Sequence, residues 1–241
     1  MPNAKVRLFV DHPVGVGQSV PVERGQAHYL FGVMRLVPGD RVLIFNQTSG
    51  EWLAEIVEAG KKRGVLACVE QTRPLRRPAD VWLLFAPIKK ERTDFIVEKA
   101  TELGASLIQP VRTARTQSDR VKLDRLRAHA IEATEQCGGT FVPELRELVS
   151  LEALLESWPS ERKLMFCDEG LSGAEVVLPD ELNGPTAILI GPEGGFSEDE
   201  RARLAQLPFG CAVSLGPRIL RADTAAVTAL TLWQAQFGDW G

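Results

Sequence analysis

The pattern of hydrophobic and polar positions changes once, near residue 80. Before it, short apolar runs are separated by turn residues. Val6–Val10 is β-rich, and the turn Val37-Pro38-Gly39-Asp40 leads into Arg41–Phe45. Thr48-Ser49-Gly50 turns into the alternating run Glu51–Val57, and Val65–Val69 follows Gly60–Gly64. Short strands at regular spacing predict a small barrel, with Gln26–Met34 as a short helix plugging it. After residue 80, strands alternate with helical stretches. Val81–Phe85, Leu107–Val111, Leu164–Cys167, Ala187–Ile190 and Cys211–Leu215 are strand candidates, and three of the five runs are wholly apolar. Short, wholly apolar runs suit a buried parallel sheet covered by helices. Helices are expected from a Thr93 cap to Leu103, where Gly104 ends the turn, over Asp124–Gln136, and from Ser150. Ser197-Glu198-Asp199-Glu200 is a capping box. The expected fold class is therefore α/β, with a barrel over 1–72, a linker over 73–80 and an α/β domain over 81–241.

The last helix, Thr224–Phe237, is apolar almost all round. Such a helix is buried on every side, either inside its own domain or against a second subunit.

Composition is that of an ordinary soluble domain, with no apolar run long enough for a membrane helix and no signal-peptide core at Met1–Arg7. Cys68, Cys137, Cys167 and Cys211 form no C-x-x-C pair and read as buried thiols, which points to the reducing cytoplasm. With three histidines, no metal site is expected. The net charge of −4 conceals an asymmetry: residues 1–127 carry 21 Lys/Arg against 14 Asp/Glu, whereas residues 128–241 carry 7 against 18. A polyanion would be drawn to the first half.

Two segments look chemical. Ile190-Gly191-Pro192-Glu193-Gly194-Gly195-Phe196 follows an apolar strand, where open α/β sheets bind ligands and glycines let backbone approach them. No Gly-Lys-Ser/Thr follows, so it is not a Walker loop; a plain βα turn is the alternative. Leu215-Gly216-Pro217-Arg218-Ile219-Leu220-Arg221 leaves the next strand with two arginines that suit an anion. Asp223 can be a helix cap or an acid.

Together these segments resemble the signature of the RsmE family, 16S rRNA uridine-N3 methyltransferases of the SPOUT class. Glu98–Ala105, Ala133–Cys137, Arg7–Val10, His28-Tyr29-Leu30 and Val33-Met34-Arg35 match it too, in order along nearly the whole chain. The resemblance implies a PUA-like barrel, a SPOUT domain with a deep trefoil knot, and a homodimer acting on the small ribosomal subunit. It implies S-adenosyl-L-methionine (SAM) as methyl donor, held by Phe166, Gly191, Pro192, Glu193, Gly194, Gly195, Leu215, Gly216, Arg218, Ile219 and Leu220. Arg221, Asp223 and Glu193 are the implied catalytic candidates. The basic set Arg7, Arg35, Lys61, Lys62, Arg63, Arg76, Arg77, Arg112 and Arg115 would hold rRNA phosphates. Gly139, Pro217 and Asp223 depart from the family pattern, where arginine, lysine and glutamate are common. Other readings are a SPOUT methyltransferase with a different target, or a catalytically silent RNA-binding module.

Overall fold

In the computed structural model the structure describes residue 4, residues 6–118 and residues 120–240. The expectations for Met1–Asn3 and Lys5 lie outside the described residues. Two compact units emerge: Met1–Arg77 with Thr134–Val142, and Pro78–Ala133 with Pro143–Gly241.

The first unit contains β1 (Arg7–Phe9), β2 (Ser19–Val22), β3 (Arg41–Asn46), β4 (Gly50–Ala59) and β5 (Gly64–Arg73), in the order β1-β3-β4-β5-β2. The β1–β3 pair is parallel and the others antiparallel. Three register shifts between β4 and β5 increase local bending, so the sheet curls around Leu8, Val20, Val42, Ile44, Ile56 and Leu66. The plug is helical, as the sequence suggests, but starts earlier: α1 (Arg24–Ala27) widens into a π turn over His28–Val33. Ala27 and Leu30 are fully buried in the core. Strand β2, Ser-Val-Pro-Val, was not expected; its exposed and buried positions alternate along an edge.

Arg7 is not free to bind RNA, contrary to expectation. Its guanidinium donates to the carbonyls of Thr134 (2.8 Å), Glu135 (2.9 Å) and Gly139 (2.7 Å), and to Glu51 at 2.7 Å. The acceptors on Thr134 and Glu135 belong to the last turn of α3 (Leu123–Cys137), whose final carbonyls lack helical partners. Glu51 is buried and also receives Thr72 and Arg73. Burial alone would raise its pKa, but the bonds from Arg73, Arg7 and Thr72 outweigh it and bring the value down to about 2.

The second unit holds β6 (Val81–Phe85), β7 (Leu107–Arg112), β8 (Glu144–Leu145), β10 (Lys163–Cys167), β11 (Thr186–Ile190) and β12 (Gly210–Val213), in the order β12-β10-β11-β6-β7-β8. The short β9 (Val149–Ser150) pairs with β7, and every pairing is parallel. Leu84, Phe166 and Leu189 face one side, packed with Leu154 of α4 (Leu151–Glu156) and Leu204 of α5 (Glu198–Ala205). Successive strand residues point to opposite faces, so Leu83 and Ile188 face the other side. There α6 (Ala222–Phe237) packs on β6, β11 and α2 (Lys90–Glu102).

Helix ends follow the sequence with two exceptions. Ser150 caps α4, and the Ser197/Glu200 capping box is complete, a device worth about 1 kcal/mol. Thr93, however, lies inside α2, where its hydroxyl bonds the Ile88 backbone; the cap position is Lys89. Helix α6 begins at Ala222, after Arg221, so Asp223 sits in its first turn and is not the cap. Nor is α6 buried all round. Ala225, Ala226, Ala229, Leu230 and Trp233 are buried, while Val227 and Leu232 stay half-exposed. Cys68 and Cys167 are buried, but Cys137 is exposed and Cys211 half-exposed, so the expectation of buried thiols holds for two of the four.

Candidate active site

Three neighbouring strands, β12, β10 and β11, run parallel, so their carboxyl ends share one side of the sheet. The loops leaving them enclose a cavity of about 300 Å³. Cys167, Asp168, Glu169 and Ser172 come from β10; Ile190, Gly191, Pro192, Glu193 and Gly195 from β11. Leu215, Gly216, Arg218, Ile219, Leu220 and Arg221 follow β12, and Ala222 and Ala225 of α6 complete the wall. An apolar pocket with a few polar groups at the mouth is the usual form of a small-molecule site.

The glycines serve the geometry. Gly195 has φ of +66°, and a Cβ there would lie 1.8 Å from Oε1 of Glu169. Only glycine lets the β11 loop approach that carboxylate so closely. Gly216, at φ of +112°, accepts a hydrogen bond from Gly173 N–H at 3.1 Å, joining the loops after β10 and β12. The Ser214 hydroxyl donates to the Ala174 carbonyl at 3.1 Å, a second tie between the same loops.

Electrostatics divide the cavity. Asp168, Glu169 and Glu193 line it, as do Arg218 and Arg221. Arg92, from the first turn of α2, donates to Glu193 at 3.2 Å and lies 3.7 Å from the Asp223 carboxylate. One arginine thus joins Glu193 and Asp223, the two acids among the implied catalytic candidates. Arg221 makes no ion pair among the described residues. The cysteine of the wall, Cys167, is held protonated, because burial pushes its thiol up to about 12. The described residues contain no group of His, Cys, Asp and Glu able to hold a metal ion.

Residues 75–234 match the family model described as an RNA methyltransferase domain, and residues 22–66 match that of an RNA methyltransferase PUA domain. The small-subunit ribosomal RNA methyltransferase E of Rickettsia conorii is 32% identical over 95% of this chain and 88% of its own length. The chain belongs to the ribosomal RNA small subunit methyltransferase E family. Among solved structures, the family's protein from Neisseria gonorrhoeae bound to S-adenosyl methionine superposes with a TM-score of 0.87. That pair is 28% identical, over 98% of this chain and 99% of the other. A putative methyltransferase from Legionella pneumophila in complex with SAM gives 0.85 at 31% identity, over 97% and 98% of the two chains.

Within this methyltransferase E framework, the structure brings together most of the residues singled out from sequence. Gly191, Pro192, Glu193, Gly195, Leu215, Gly216, Arg218, Ile219, Leu220 and Arg221 all line the cavity. Three do not. Phe166 is buried in the core of the sheet, 1% exposed, because its position on β10 points to the α4–α5 face. Gly194 faces a neighbouring cleft, and Asp223 stands behind the wall on Arg92. Sequence reasoning missed Asp168, Glu169, Ser172 and Arg92. The first three follow an apolar strand, a position that could have singled them out. Arg92 carries no such mark, being one charge within Lys89-Lys90-Glu91-Arg92. In the first unit, Arg35, Lys61, Lys62, Arg63, Arg76 and Arg77 are exposed, as are Arg112 and Arg115 in the second. The Gly64 backbone packs on the Phe31 ring, where an added Cβ would lie 2.6 Å from the ring edge.

Proposed function

We propose that this chain transfers a methyl group from SAM to N3 of one uridine in the 16S rRNA of the small ribosomal subunit. The observation that carries the reading is the cavity built from the three loops after β10, β11 and β12, in a chain of the methyltransferase E family. SAM supplies an electrophilic methyl on a cationic sulfur. The residues present fit such a donor: Leu215, Ile219 and Leu220 offer apolar walls, and Asp168, Glu169 and Glu193 offer negative charge.

The chain's own groups then have distinct tasks. The three loops hold and orient the donor, and orientation alone is a large share of such catalysis. Arg221, at the start of α6, stabilises the negative charge that develops on the uracil, or holds the phosphate flanking it. The uracil N3 proton must leave as the new N–C bond forms. Glu193 lines the cavity and is the better placed acceptor; Asp223 acts behind it by holding Arg92.

In sequence terms the domain limits we adopt are a PUA-like unit over 1–72, a linker over 73–80 and a SPOUT unit over 81–241 threaded as a trefoil knot, of which Thr134–Val142 belongs to the first compact unit. The half-exposed apolar residues Val227 and Leu232 of α6 support a homodimer. We place the protein in the cytoplasm, where small subunits are assembled. The test is incubation with small subunits lacking the modification and labelled SAM. Label in 16S rRNA is expected. Absence of both label and SAM binding would remove the enzyme reading.

A further inference from the structure

Beyond the donor cavity the same sheet carries a second opening. Strand order continues β11-β6-β7, so the loops leaving β6 and β7 stand next to the β11 loop on the same side. They frame a cleft of about 350 Å³, distinct from the donor cavity. Lys89 and Lys90 enter it after β6, Arg115 and Arg120 after β7. Pro192 and Glu193 belong to both openings, so one loop is the partition between them.

The charge of this cleft is uncompensated among the described residues. Among the described residues, none of the four cations pairs with a carboxylate, unlike Arg7, Arg73, Arg92, Arg125 and Arg162. Of the described residues, the one acid in the wall is Glu193, which is engaged by Arg92. Arg115 also donates to the Gly194 carbonyl at 2.7 Å, tying the β7 loop to the partition. Four convergent cations beside a small-molecule cavity call for a ligand that carries several negative charges in a row and reaches across the partition. A nucleic-acid strand does so, with one charge per nucleotide.

We propose that the cleft lined by Lys89, Lys90, Arg115 and Arg120 binds the phosphates of the RNA strand beside the target nucleotide, so that the base reaches the donor across Glu193. This rests on the methyltransferase reading above and gives its substrate a seat. Phosphate contacts of this kind fix register, and leave sequence to be read elsewhere.

The test uses the full chain with Lys89→Ala/Lys90→Ala/Arg120→Ala, and separately Lys90→Glu/Arg120→Glu. The probe is a 16S rRNA transcript titrated over a range of salt concentrations, with SAM binding and thermal melting measured on the same samples. Arg115 is left intact because it supports the donor loop. The triple variant should bind the transcript at least tenfold more weakly, with a salt slope shallower by about 2, while SAM affinity stays within twofold. Charge reversal should weaken binding further. Transcript affinity and slope unchanged in both variants, or a wild-type chain that does not bind the transcript, would overturn the proposal. A wild-type chain that binds transcript through the cleft yet transfers no methyl would sink the methyltransferase reading and leave the cleft standing.

Discussion

Replacing Gly195 by alanine probes the donor loop at its tightest point. The new methyl would sit 1.8 Å from Oε1 and 2.4 Å from Cδ of Glu169, so that carboxylate must move. Its side chain is flexible and can swing away, but it then leaves the cavity wall it helps to form. The backbone cannot adapt so readily. At φ of +66° an L-residue carries strain of about 1–2 kcal/mol. If the loop keeps its shape, the strain appears as lost stability; if the loop relaxes, it appears as lost donor affinity. In the second case Kd for SAM rises about 5–30-fold. Gly194→Ala is the matched control. There a Cβ would meet only the aliphatic part of Arg115, at 3.6 and 3.7 Å, and φ is not positive. Calorimetric titration with SAM, paired with melting curves, should show a deficit of that size for Gly195→Ala and little change for Gly194→Ala. Equal behaviour of the two variants in both measurements would show that position 195 has no special need for glycine.

Other consequences concern separate parts of the molecule. Glu51→Gln leaves Arg7 and Arg73 facing an uncharged partner, and chemical denaturation at pH 7 should show a loss of roughly 2–4 kcal/mol. Because the folded pKa of Glu51 is depressed to about 2 from 4.5, the native protein gains stability from it above pH 4.5. That gain, about 3 kcal/mol, fades as pH falls toward 2, and the fade should be absent in Glu51→Gln. Arg92→Ala unties Glu193 and Asp223; kcat should fall tenfold or more with SAM affinity little changed, and Arg92→Lys should recover part of it. Lys61→Ala/Lys62→Ala/Arg63→Ala should weaken transcript binding and flatten its salt dependence without touching SAM affinity.

Much of the second unit was readable because its signals are local. An apolar run of five residues followed by glycines marks both the strand and the loop that leaves it, as at Ile188–Gly195. Ser197 and Glu200 announce their helix within four residues. What escaped depends on partners far along the chain. Arg7 reads as a surface cation until carbonyls about 130 residues later close around it. Arg92 is one charge among several until its partners, some 100 and 131 residues onward, meet it. Phe166 belongs to the right strand, yet the two-residue period of a strand turns it into the core and leaves Cys167 at the cavity. The π turn over His28–Val33 and the return of Thr134–Val142 to the first unit have no local signature of this kind.

Small subunits lacking the modification, treated with the protein and SAM, can be digested to nucleosides and resolved by mass spectrometry. N3-methyluridine is expected at a single position of 16S rRNA, and lost in Arg221→Ala. A methyl on a ribose hydroxyl, on a ring carbon, or on a base other than uracil would contradict this expectation.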